Sequence, residues 1–68
     1  MDPVQKELIS RKAEIKKSVE LLFEANMKIT AWDVPEVDDK EAAKILLDMI
    51  QEEIDTIRAE VDAGKYDI

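Results

Sequence analysis

The chain has 68 residues with 17 acidic and 10 basic side chains, a net charge of −7, and neither Cys nor His. Disulfide staples, the ordinary zinc sites and any nucleophilic triad with a histidine base are thereby excluded. A chain of this size buries only about 60 % of the surface its unfolded form exposes, so stability has to come from association or from unusually good helix packing.

One Gly, two Pro and one each of Trp, Tyr and Phe, among abundant Ala, Glu, Lys, Ile and Leu, predict an all-α fold in one domain. No apolar run exceeds three residues, so no membrane span is expected. Residues 1–12 lack the apolar core of a signal peptide, and the expected location is the cytoplasm. Residues 1–30 carry six basic and five acidic side chains, whereas residues 31–68 carry four and twelve. An acidic chain is repelled by nucleic acid and by anionic lipid, so direct binding of nucleic acid or membrane is not expected. The same charge also serves plain solubility.

The first helix is predicted over about residues 3–29. Asp2 is placed to cap it, Pro3 suits its first position, and Gln5 completes a capping box. Val4, Leu8, Ile15, Leu22 and Ile29 share one stripe, with Val19 at its edge. Lys12, Lys16, Glu20 and Glu24 face elsewhere and can pair at four-residue spacing. Arg11 and Asn26 interrupt the stripe. Arg11 can lay its stem over the seam with its charge in water. Asn26 either fixes register within the seam or reaches water or loop backbone near the helix end.

Residues 30–38, TAWDVPEVD, form the predicted connection, since Pro35 disfavours helix in the residue before it. Asp38 then caps a second helix, with Glu41 three residues on, and Val37 and Ala42 are placed for a hydrophobic staple. That helix is predicted over about 39–63, with Gly64 at the left-handed position after its end. A short tail, 64–68, follows, in which Tyr66 and Ile68 either fold back or fray.

The second helix carries the clearest signal in the chain. Ala43, Leu47, Ile50, Ile54, Ile57 and Val61 alternate by four and three, the seam of a helix that lies along another helix. Joined by a short loop, the two helices predict an antiparallel hairpin whose seam matches Leu8, Ile15, Leu22 and Ile29 with those six residues. Apolar surface is then left over beside the loop. Ala42, Ile45, Leu46 and Met49 widen the apolar arc to about 200°, against about 60° at Ile54, Ile57 and Val61. Phe23 and Met27, with Leu21, add to it from the first helix, and Trp32 from the connection. Three explanations compete: a lid formed by Trp32, Val34 and Val37, a pair of hairpins sharing cores as a homodimeric four-helix bundle, or a docking face for a different protein. The bundle is the favoured one.

Signals for chemistry are weak, and no catalytic, cofactor-binding or metal-binding residue is expected. Glu20, Glu24, Asp48, Glu52 and Asp55 could supply Mg²⁺ ligands. The Glu52-x-x-Asp55 spacing resembles that of helical nucleotide pyrophosphatases, which would imply a Mg²⁺-dependent nucleotide hydrolase. Glu20 and Glu24, however, are four positions apart rather than three, and Glu52 and Asp55 lie off the seam. Asp48, Glu52, Asp55 and Asp62, with Glu41, make a partial acidic row of the kind a DNA mimic needs, interrupted by Lys44 and Arg58. The last twelve residues, IRAEVDAGKYDI, resemble the C-terminal region of flagellar anti-sigma factors, where a helix runs into a Gly-x-Tyr segment and a further helix follows. That resemblance implies an inhibitor of a DNA-binding protein.

The reading the residues support best is a non-enzymatic interaction module, a small acidic helical regulator, adaptor or inhibitor. Its expected partner surface is Phe23, Met27, Trp32, Ala42, Ile45, Leu46 and Met49. Its expected partners are a second copy of itself and another protein.

Overall fold

The computed structural model describes residues 2–36 and 38–67 and contains three helices: α1 (Pro3–Ser10), α2 (Lys12–Asp33) and α3 (Asp39–Asp62). No strand occurs among the described residues. The chain is all-α. At its start the Asp2 carboxylate accepts the Gln5 N–H at 2.8 Å and Pro3 occupies the first turn, where a missing N–H is harmless.

The single helix expected over 3–29 differs from this in two ways. It breaks at Arg11, and it runs four residues further, to Asp33. The break coincides with a local side-chain hydrogen bond. The Ser10 hydroxyl donates to the Glu7 carbonyl at 2.6 Å, in the place where a continuous helix would receive the Arg11 N–H. Arg11 donates to Leu8 O instead, at 3.1 Å, and its backbone moves to φ −102, ψ 7. The helix resumes at once, with Ile15 donating to Arg11 O at 2.9 Å. The Arg11 side chain, for its part, turns to Glu14 at 3.4 Å.

At the other end Pro35 constrains only Val34 before it, which sits at φ −130, ψ 82, so Ala31, Trp32 and Asp33 stay helical. Trp32 is thus part of α2 rather than of the connection. The expected staple of Val37 on Ala42 lies partly outside the described residues.

Asp38 caps α3 through Oδ1, which accepts the Lys40 N–H at 2.9 Å and the Glu41 N–H at 3.2 Å. The helix ends in a Schellman motif, in which Lys65 N–H donates to Glu60 O at 3.0 Å and Gly64 N–H to Val61 O at 3.1 Å. Gly64 takes φ +87, and the apolar contact that usually accompanies this motif is replaced by an ion pair between Lys65 and Glu60.

α2 touches both α1 and α3. The whole measures 48 × 27 × 17 Å with a radius of gyration of 15.8 Å, against about 11 Å for a compact chain of this length. Its core is minimal: Ala42, at 8 % exposure, is the single buried apolar residue among those described.

Candidate interaction surface

The half-buried residues of α2 and α3 show where the two helices meet. On α2 they are Phe23, Asn26, Met27 and Thr30; on α3, Ala43, Leu46 and Ile50 flank the buried Ala42. Each set repeats at three and four residues and so forms one stripe, next to the connection. Large Phe23 and Met27 on α2 and small Ala42 and Ala43 on α3 all belong to these stripes, and the small residues permit close approach of the helix axes. Asn26 and Thr30 are tolerated there because their polar groups are satisfied on their own helix. Asn26 Nδ2 donates to Leu22 O at 2.8 Å, and the Thr30 hydroxyl donates to Asn26 O at 2.9 Å.

The surfaces expected from sequence are therefore distributed differently. Four residues expected on a partner surface, Phe23, Met27, Ala42 and Leu46, lie at the contact between α2 and α3. The expected seam is mostly open. Ala43 and Ile50 are half-buried, but Leu8, Ile15, Leu22, Ile29, Leu47, Ile54, Ile57 and Val61 remain between 40 % and 58 % exposed. On α2 the reason is angular: at 100° per residue the stripe of Ile15, Val19, Leu22 and Ile29 is centred about 80° from the stripe that meets α3. On α3 the two stripes overlap, and the seam opens beyond Ile50.

Several concavities mark the exposed apolar surface, three of them at distinct places along the helices. One, of about 460 Å³, is lined by Ile54, Ile57, Arg58, Val61 and Asp62, all from α3. A second, of about 500 Å³, lies beside the connection and combines Ala42, Ile45, Leu46 and Met49 with Thr30 and the acidic Glu36, Asp38 and Glu41. The third, about 270 Å³, is formed by Lys28, Ile29, Trp32 and Asp33 at the end of α2. Trp32 itself is 85 % exposed and covers nothing. Trp32 and Val34 of the expected lid are thus exposed rather than folded over the helices, and its third residue, Val37, lies outside the described residues. Leu21, expected among the surplus apolar residues, is exposed, and so is Ile9, whose position off the main stripe hid it from a periodicity argument.

Charged side chains stay at the surface. Among the described residues Arg11, at the break, pairs with Glu14 at 3.4 Å, and Lys16 pairs with Glu20 within α2 at 3.8 Å. Both pairs are largely exposed and each is worth about 0.3–0.5 kcal/mol. Among the described residues no three Asp, Glu, His or Cys side chains converge as a metal site would require, so Glu20, Glu24, Asp48, Glu52 and Asp55 are not gathered around one point. Among the described residues no helix is long and apolar enough to cross a membrane. The chain matches no known protein family, no characterised protein and no solved structure.

Proposed function

We propose that this chain is a non-enzymatic protein–protein interaction module. In this reading α2 and α3 form an antiparallel hairpin, two hairpins pair into a homodimeric four-helix bundle, and the dimer acts as a small regulator, adaptor or inhibitor of another protein. The observation that carries the reading is the amount of apolar surface left without a neighbour. The chain exposes 6228 Å², against about 4,400 Å² for a compact protein of this mass. Within that total surface Leu22, Ile29, Leu47, Ile54, Ile57 and Val61 are each 40–58 % exposed and lie in stripes, and contiguous exposed apolar surface of that kind serves association.

The two kinds of exposed surface have separate roles in the proposal. The long stripes on α2 and α3 are the self-association surface. Trp32, Ile45 and Met49, which lie at the connection end and outside the contact between helices, are the docking surface for the second protein. A fully exposed Trp with a neighbouring concavity is the kind of anchor on which binding energy concentrates. Sedimentation equilibrium at micromolar concentration, combined with thermal melts across a hundredfold range of concentration, tests the association. The expected result is a dimer whose Tm rises with concentration. A stably folded 7.8 kDa monomer with a concentration-independent Tm overturns it.

A further inference from the structure

We propose that α3 pairs in parallel, in register, with α3 of a second copy of this chain about a two-fold axis. The inference rests on the reading of the chain as an interaction module and specifies the partner, the face and the orientation. Its starting point is the seam of α3, where Leu47, Ile54 and Val61 occupy one position of the seven-residue repeat and Ala43, Ile50 and Ile57 the other. α2 covers Ala43 and Ile50 in part and leaves the other four exposed, and the trough along Ile54, Ile57 and Val61 contains no residue of α1 or α2.

The charges beside this seam choose the occupant. On one flank stand Asp39, Leu46, Glu53 and Glu60; on the other, Lys44, Gln51 and Arg58. One flank is acidic wherever it is charged, and the other is basic. In a parallel, in-register pair each acidic-flank residue meets the residue five positions later on the partner. Asp39 and Leu46 stand on the side of α3 where α2 lies, so the charges set facing on both sides of the axis are Glu53 and Arg58. No like charges meet. An antiparallel pair of the same helices would instead place acidic flank on acidic flank and basic on basic, which repels. Among the described residues Asp39, Lys44, Glu53 and Arg58 enter no ion pair within the chain, whereas Glu60 is held by Lys65 at the helix end. The helix is complementary to itself in one orientation only.

The area is sufficient. Two compact copies would expose about 7,300 Å² as one body, so closing two of these open chains removes on the order of 5,000 Å², some by drawing α2 onto α3 and the rest between copies. Two separately closed copies would together expose about 8,700 Å² by the same scaling, so about 1,500 Å² of that total lies between copies, the size of a standard specific interface. An isologous contact along a two-fold axis also closes, so the pairing ends at two copies.

Because the chain has no Cys, single-cysteine variants report orientation directly. In the parallel arrangement the two Cα atoms at position 61 fall within the roughly 4.4–6.8 Å a disulfide spans. The Val61→Cys variant, equilibrated in a glutathione buffer at micromolar concentration, is expected to form a disulfide-linked homodimer. An equimolar mixture of Ala43→Cys and Val61→Cys variants is expected to give the two homodimers without a mixed product. Dominance of the mixed product overturns the parallel pairing while leaving the dimer intact. A monomer in sedimentation overturns both this inference and the reading it rests on. As a second readout, Glu53→Arg is expected to weaken dimerisation roughly tenfold, and Glu53→Arg combined with Arg58→Glu to restore it. Failure of the double variant to recover affinity overturns the charge argument.

Discussion

Leu22 and Phe23 are adjacent in the chain yet face different surroundings. Phe23 is half-buried at the contact with α3, whereas Leu22 stands about half exposed on the open stripe of α2. One step along a helix turns a side chain by about 100°, enough to move it from one face of a bundle helix to the next. The two positions therefore separate folding of the hairpin from association. Leu22→Glu is expected to abolish dimerisation while leaving the contact of α2 with α3 in place. Phe23→Ala is expected to weaken that contact by about 1–2 kcal/mol, less than the value for a fully buried Phe because the ring is only partly covered. Urea denaturation at fixed concentration, together with sedimentation, distinguishes the two. Equal loss of association in both variants would show that the faces are not separate.

Gly64 supplies the second prediction. Its φ of +87 closes the Schellman motif, and a Cβ added there would lie 3.1 Å from Asp67 Oδ2. Gly64→Ala is expected to destabilise the chain by about 1–2 kcal/mol, the cost of holding an L-residue in the left-handed region. Gly64→Asn should be milder, since Asn tolerates that conformation better. Thermal melts of the three proteins at one concentration provide the comparison, and a neutral Gly64→Ala would mean that the end of α3 does not hold this turn.

A third prediction concerns the break at Arg11. If the Ser10 hydroxyl displaces the Arg11 N–H from the Glu7 carbonyl, removing it lets the helix run through. Ser10→Ala is expected to raise the helical circular-dichroism signal slightly and to increase stability by about 0.5 kcal/mol, the gain in helix propensity. Amide exchange at Arg11 should slow at the same time. An unchanged exchange rate would place the cause of the break elsewhere, most plainly in the Arg11–Glu14 pair.

Much of the local structure could be read from residue types alone. Asp2 with Pro3, Asp38 with Glu41, and Gly64 act through backbone groups within a few residues of themselves, so no tertiary information is needed to place them. The break at Arg11 was invisible because Ser is equally compatible with unbroken helix, as Ser18 shows with its own hydroxyl bonded to Glu14 O. Periodicity found the seam of α3 but not its neighbour. A helix with an apolar arc wider than one stripe offers more than one face, and a count of apolar positions does not choose between them. The opposed charges flanking that seam were present in the sequence. They acquire meaning only once the seam is seen to be open.

Asn26 gives the sharpest test of what the contact between α2 and α3 is for. It sits among Phe23, Met27 and Thr30 on the half-buried stripe, and its amide nitrogen is committed to Leu22 O at 2.8 Å on its own helix. Within one chain it therefore contributes nothing across the contact, and an apolar replacement of similar size should pack better. Asn26→Leu is expected to stabilise the protein by about 1 kcal/mol in urea denaturation, through the added apolar burial and the loss of a bond that competes with the helix ladder. If the variant is instead destabilised, or its dimer gives way to higher oligomers in sedimentation, then Asn26 has a polar partner in the assembled state. It would then fix the register of the bundle, as a single polar residue in a helical seam does.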